Sequence, residues 1–373
     1  MLNKFEVDSR IADILEKSLS GDELSLRDGI ELMESEDIFL TGYVAHTLKL
    51  RKFDRMVTFT VNRHINYTNI CVSKCKLCAY FKDPESPTAF TLSIEDIIKK
   101  IEESVPLGIK EVHIVGGLNP DLTIEYFEKM FFEIKNRFPS ISIKALTAVE
   151  VDFLAKHDKT SLREVLSRLK AAGLEFMPGG GAEIFNPEIR QNICSGKISG
   201  ERWLKVMEEA HKLGIRTNAT ILYGHIESPR DRVEHLIQLR ELQKKTGGFQ
   251  ALIPLSFHPT NTKLQKEGFV KNRVSSLEDL KMMAVSRLLL HNTIPNIRAY
   301  WVMLGKRLAQ VSLHFGVNDL EGTVVEEKIT HAAGATTDEF MTKEELINLI
   351  RDANMIPAER TTDYRVLRVY EQP

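Results

Sequence analysis

The run Val57-Thr-Phe-Thr-Val61-Asn-Arg-His-Ile-Asn66, followed closely by Cys71-Val-Ser-Lys-Cys75-Lys-Leu-Cys78, decides how the chain folds. Val57–Val61 alternates and is rich in strand formers, so it reads as a strand. Polar residues and then three cysteines in eight positions follow, which reads as the loop at the strand's end. Ser93-Ile-Glu-Asp96 opens a helix, with the serine as cap and an acidic residue three positions on. Ile94, Ile97, Ile98 and Ile101 form its apolar stripe. Val112-His-Ile-Val115 is the next strand and stops at Gly116-Gly117. A strand, a loop, a helix and a second strand make one unit of a parallel sheet.

Outward from this unit the alternation continues. A helix with Ile124, Phe127, Phe131, Ile134 and Phe138 on one face precedes a strand at Ile141–Leu146. Ser161–Ala172 is a helix stopped by Gly173, and Glu175–Met177 a short strand running into Pro178-Gly-Gly-Gly181. Further strands are expected at Ile215–Leu222, Ala251–Pro254 and Ile297–Trp301, with the last near Val324-Val325. Pro229 sits where a helix starts. About eight strand–helix pairs with short connections predict a (β/α)8 TIM-type barrel. The alternative is an open doubly wound sheet, but no Gly-x-Gly-x-x-Gly follows the first strand. The expected organisation is an N-terminal helical prefix over 1–50, the barrel over 51–335, and a C-terminal α/β extension over 336–373 that packs on the barrel. Asp28-Gly29 is expected to interrupt the prefix weakly.

Composition narrows the function classes. A formal charge of −2 gives no bulk attraction to nucleic acid or anionic membrane, and no apolar run is long enough to span a bilayer. The first residues are charged and lack a signal-peptide core, so a cytoplasmic setting with reduced thiols is expected. Four cysteines in 373 residues do not make a disulfide framework.

Polar, glycine-rich sequence recurs where strands end: Asn62–Asn66, Gly116-Gly117, Thr147–Glu150, Gly179–Glu183, Tyr223–His225, His258–Asn261 and Arg298–Trp301. Barrel enzymes gather their sites at such places. The cysteines, at Cys-x3-Cys-x2-Cys spacing, supply three thiolates. A cubane [4Fe–4S] cluster ordinarily takes four, so three would leave one iron open to a ligand that is not protein. The competing reading is a zinc-stabilised binding protein, with His64 as a fourth ligand. Cys194 reads as a free thiol, and Trp301 with the Phe127–Phe131 stripe as core.

On these residues the loop resembles the signature of the radical S-adenosylmethionine (SAM) superfamily. Asn62–Cys71 and Pro178-Gly-Gly-Gly-Ala-Glu-Ile-Phe185 resemble the futalosine enzymes of menaquinone formation and the related deazaflavin synthases. Thr217–Glu227, Phe257–Thr262, Asn296–Gly305, Gly322–Lys328 and His331–Gly334 resemble the aminofutalosine synthase family most. The resemblance implies a [4Fe–4S] cluster on Cys71, Cys75 and Cys78, and SAM as a co-substrate that yields a 5′-deoxyadenosyl radical. It implies that Gly116 and Gly117 meet the SAM amino group, that Tyr80 stacks near the adenine, and that Glu183 binds SAM. Leu77 departs from the aromatic usual before the last cysteine.

The implied reaction adds the adenosyl radical to the vinyl carbon of 3-[(1-carboxyvinyl)oxy]benzoate. Aryl migration and loss of bicarbonate then give 6-amino-6-deoxyfutalosine. Sister activities are dehypoxanthine futalosine cyclase and deazaflavin (FO) synthase. Arg298 is the candidate clamp for a substrate carboxylate, because a guanidinium fork matches a carboxylate. His64, Tyr223, His225 and His258 are candidates for orienting substrate or moving protons. The implied partners are the small aryl enol ether and a low-potential electron donor of the flavodoxin or ferredoxin type, with neither nucleic acid nor membrane.

Overall fold

The computed structural model describes residues 8–371. Its sheet contains β1 (Met56–Thr60), β2 (Asn62–Asn66), β3 (Glu111–Val115), β4 (Ser142–Ala145), β5 (Phe176–Met177) and β6 (Arg216–Tyr223). It continues with β7 (Phe249–Ser256), β8 (Asn296–Ala299), β9 (Asp319–Gly322), β10 (Ile356–Arg360) and β11 (Val366–Val369). The order across the sheet is β11-β10-β1-β9-β8-β7-β6-β5-β4-β3-β2. Only Val61 separates β1 from β2, so the two ends of this order are one extended run. On one flank Thr323 N donates to Thr60 O at 3.3 Å; on the other, Lys110 N donates to Val61 O at 2.8 Å. The sheet therefore closes into a barrel of the radical SAM TIM type, its staves all parallel. Beside it β10 pairs parallel with β1, and β11 runs antiparallel to β10.

The helices form where their caps and stripes require. Ser93 and Asp96 make a full capping box, and Ile97, Ile98 and Ile101 are buried against the sheet. Thr147–Glu150, Ser228–Asp231 and Thr342–Glu345 repeat the device. Helix Ser276–Leu290 is apolar nearly all round because it packs between the barrel and the N-terminal helix Ile38–Phe53. Gly29 does not interrupt the prefix: it lies inside helix Leu26–Glu34. A Cβ there would come within 2.6 Å of Val233 Cγ1, so glycine lets that helix press onto Pro229–Thr246.

Two expectations are corrected, and one strand had none. The segment Asn62–Asn66 is a strand, fully buried, and not the start of a loop. The last barrel strand is Asp319–Gly322, a few residues before Val324-Val325. β10 has no forecast at all. In each case inward positions carry Asn, His, Asp, Glu or Arg, so the apolar alternation that marks a half-buried strand is missing.

Those inward charges pair with one another. Lys144 Nζ meets Glu111 Oε2 at 2.6 Å; Arg298 meets Asp319 Oδ1 at 2.6 Å and Glu321 Oε2 at 2.9 Å; Arg360 meets Asp319 Oδ2 at 2.5 Å. Three cations and three carboxylates thus share the barrel interior, all nearly inaccessible to solvent. Removing any one member would leave an uncompensated buried charge.

Candidate active site

At the C-terminal ends of the barrel strands lies a cavity of about 320 Å³. The cysteine loop forms one side of it, with Cys71, Cys75 and Cys78 all in its lining. Backbone bonds pin the loop: Cys71 N to Lys82 O (3.3 Å), Val72 N to Leu118 O (3.0 Å) and Leu77 N to Ile193 O (3.3 Å). Gly117 sits against it. A Cβ at 117 would lie 2.1 Å from Ile70 O and 2.8 Å from Cys71 Cβ, so only glycine allows the end of β3 to approach this closely.

The thiols suit a cluster and not a single ion. All are free, and burial pushes the Cys75 and Cys78 thiols up in pKa. Four bonds of about 2.3 Å to a tetrahedral zinc would put sulfurs about 3.8 Å apart. Among the described residues, the one set of three ligand atoms within 4.8 Å of each other is His64, His113 and Glu321, which contains no thiol. Three thiolates on one loop are the share of ligands that an open [4Fe–4S] cubane takes from the protein. Cys194 is buried, outside the lining, and its thiol is pushed up to about 12 by burial.

Two buried glutamates on the cavity wall differ in character. Glu150 Oε1 accepts from Tyr67 Oη at 2.9 Å and Gly116 N at 3.1 Å, and Oε2 accepts from Thr147 N at 2.7 Å. No cation faces it, and burial raises its pKa despite those bonds. Burial acts on Glu183 too, but the adjacent Lys197 ammonium outweighs it, with Arg190 and His225 adding to the effect, and holds the carboxyl below its ordinary value. Glu183 takes a left-handed backbone conformation with φ +48°. Arg190 bonds the carbonyls of Ile184 (3.0 Å) and Gly181 (3.3 Å), fixing that turn.

Another part of the wall comes from the barrel strands β2 and β3. His64 on β2 and His113 on β3 are in register, so both face inward, with ring centroids 4.4 Å apart. Burial pushes both imidazoles down in pKa, and His64 Nε2 and His113 Nδ1 have no protein partner. Asn66 Oδ1 and the Tyr80 hydroxyl are likewise unpartnered and also border the cavity. His258 Nε2 is 3.0 Å from Met303 O.

The structure thus brings His64, the three cysteines, Tyr80, Gly116, Gly117, Glu183 and His258 to one cavity. It places three other candidates elsewhere. Arg298 is no free clamp: Asp319, Glu321 and the Tyr364 hydroxyl (2.7 Å) consume its fork. Tyr223 donates to Asp279 at 2.6 Å inside the core. His225 is tied to Glu227 and to Leu222 O at 3.1 Å. The cavity also gains Lys197, His113 and Glu321, to which sequence reading gave no role, and Glu150, from the polar strand end Thr147–Glu150. His113 had a signal, a lone polar residue in Val112–Val115; Glu150 stands in a strand end read as part of the site, and it also closes a capping box with Thr147.

Comparison with known proteins agrees with this geometry. Residues 65–239 match the radical SAM superfamily, and residues 246–372 match the CofH/MqnC C-terminal region. The chain is 42% identical to the aminodeoxyfutalosine synthase of Streptomyces coelicolor, over 97% of this chain and 95% of that protein. It is 43% identical to the 5-amino-6-(D-ribitylamino)uracil–L-tyrosine 4-hydroxyphenyl transferase of Methanopyrus kandleri, over 87% of this chain and 88% of that protein. Among solved structures, the FeFe-hydrogenase maturase HydG from Carboxydothermus hydrogenoformans shares the fold at a TM-score of 0.73 and 18% identity, covering 96% of this chain and 81% of that one. Open thiol triad, barrel and relatives agree: the chain belongs to the radical SAM enzymes, in the family that holds the aminodeoxyfutalosine synthases and these tyrosine transferases, and it uses a [4Fe–4S] cluster and SAM for transferase-type chemistry on a small molecule, started by a reductant.

Proposed function

We propose that the chain is an aminodeoxyfutalosine synthase. In this reading it joins the 5′-deoxyadenosyl group of SAM to 3-[(1-carboxyvinyl)oxy]benzoate, giving 6-amino-6-deoxyfutalosine, methionine and bicarbonate for menaquinone biosynthesis. One observation carries the reading: the likeness to the Streptomyces coelicolor enzyme of that name runs almost from end to end of both chains. The bound cluster would supply one electron to the SAM sulfonium, releasing the adenosyl radical. The protein's part is to bind, orient and exclude. Cys71, Cys75 and Cys78 hold the metal. Gly116, its N–H held by Glu150, together with Gly117, Tyr80 and the Glu183–Lys197 pair, holds SAM. His64, His113 and His258 orient the substrate, and apolar residues such as Leu222, Leu255 and Phe257 keep water from a radical. The proposal includes a cytoplasmic setting, a flavodoxin- or ferredoxin-type donor, and domain limits at 1–50, 51–335 and 336–373. No helix among the described residues is long and apolar enough to cross a membrane.

An anaerobic incubation with SAM, dithionite and the enol ether tests this. An adenosine-bearing aryl ketone is the expected product; free 5′-deoxyadenosine as the sole nucleoside product would overturn the reading. The likeness to the Methanopyrus kandleri transferase favours a second reading, so a parallel incubation contains L-tyrosine and 5-amino-6-(D-ribitylamino)uracil. Coupling of those two compounds would establish the second reading in place of the first.

A further inference from the structure

A second pocket, about 470 Å³, adjoins the reaction cavity and shares His258 and Met303 with it. Its charge is opposite in kind. Four carboxylates border the reaction cavity (Glu150, Glu183, Glu321 and Glu327), and its one ammonium, Lys197, is committed to Glu183. The second pocket is bordered by Lys271 and Arg273, by Thr260, Thr336 and Thr337, and by no Asp or Glu. Arg273 is held in place: Nη2 donates to Met303 O at 2.7 Å, and the nearest carboxylate, Asp279, is 3.8 Å away and already bonded to Tyr223. Lys271 is exposed at the rim.

A thin strap divides the two spaces. Glu327, Thr330 and Ala333 face the reaction cavity, whereas Gly334, Thr336 and Thr337 face the second pocket. His331 ties the strap together, with Nδ1 3.0 Å from Glu327 Oε2 and Nε2 2.7 Å from Thr337 O. Glu183, Glu321 and Glu327 are paired with Lys197, Arg298 and His331, so the reaction cavity offers an incoming anion no uncommitted cation, while a recess of one positive sign beside it raises the local concentration of anions.

We propose that this second pocket is a capture site for a carboxylate-bearing small molecule, with Lys271 and Arg273 holding the anion before it passes His258 and Met303 into the reaction cavity. The inference rests on the reading above that the substrate is an aryl dicarboxylate.

Two measurements test it on the anaerobically reconstituted enzyme, using Lys271→Glu and Arg273→Gln. In steady state with the enol ether, each variant should raise KM by roughly tenfold, with the loss carried by KM more than by kcat, and added salt should shrink the difference. In calorimetry, benzene-1,3-dicarboxylate should bind the wild type and bind each variant roughly tenfold more weakly. Lys271→Glu guards against misfolding, since its side chain lies at the exposed rim. Enol ether turnover with the wild-type KM in both variants overturns the capture site and leaves the proposed function standing. Failure to turn over the enol ether, with dicarboxylate binding still dependent on Lys271 and Arg273, sinks the proposed function and leaves the anion site. Dicarboxylate binding that is absent, or equal in all three proteins, overturns the site.

Discussion

The two sides of the reaction cavity are built in opposite ways. The thiol side is one loop of eight residues, Cys71–Cys78, whose chemistry is complete within itself. The other side is assembled from β2, β3, β9 and the segment after β8, which contribute His64, His113, Glu321 and Tyr300. A local loop can be recognised by spacing, because its ligands are neighbours in the chain. An assembled wall has no spacing to recognise. In the proposed function, the shared radical-generating chemistry sits in the local element and the substrate meets the assembled one.

The largest expected effect tests whether the loop is self-sufficient. Replacing Cys71, Cys75 or Cys78 by Ala should abolish bound iron and sulfide and lower turnover by more than about 10³-fold. Cys194→Ala should leave iron content unchanged, as its thiol is buried outside the cavity. If Cys194→Ala also lost the cluster, the contrast between the two sides would collapse.

Next in size is the network behind the assembled wall. Arg298→Ala leaves Asp319 and Glu321 without one of their cations and should cost about 3–5 kcal/mol of stability, read as a shift in the denaturant midpoint. A loss of substrate affinity with stability unchanged would instead restore Arg298 as a clamp. Glu150 links the two sides, since it fixes both the Gly116 N–H and Tyr67. Glu150→Gln should cost about 1–3 kcal/mol and weaken SAM binding measured by equilibrium dialysis. Unchanged SAM affinity would confine Glu150 to a structural role.

The smallest effect concerns the strap. The hydrogen bond to Glu327 raises His331 from 6.5 to about 9. A folded-state pKa raised in this way gives stability that is complete below pH 6.5 and is lost as pH rises through about 9. The melting temperature should therefore fall by a few degrees across that window in the wild type and stay flat in His331→Gln. A wild-type profile as flat as the variant's would mean that the strap is not held by charge.

Legibility in the sequence followed the same division. The cap at Ser93, the helix Ser161–Ala172, the helical stripes and the short βα connections all have local causes, so they could be read directly. β2, β9 and β10 could not, because a strand whose inward face carries Asn62, His64, Asp319, Glu321 or Arg360 lacks apolar alternation. Arg298 shows the same limit for function. A guanidinium at a strand end has the chemistry of a clamp, and only the packing of β9 and β10 around it supplies the partners that occupy its fork.

The sequence by itself determined the barrel, the thiol triad and the glycine pair after the second strand, since each depends on residues within a few positions of one another. The tertiary structure decided which carboxylates are paired, which histidines reach the cavity, and that a cationic recess adjoins an acidic one. Charge and burial at any one residue are set by neighbours brought in from distant strands, and no short window of sequence contains them.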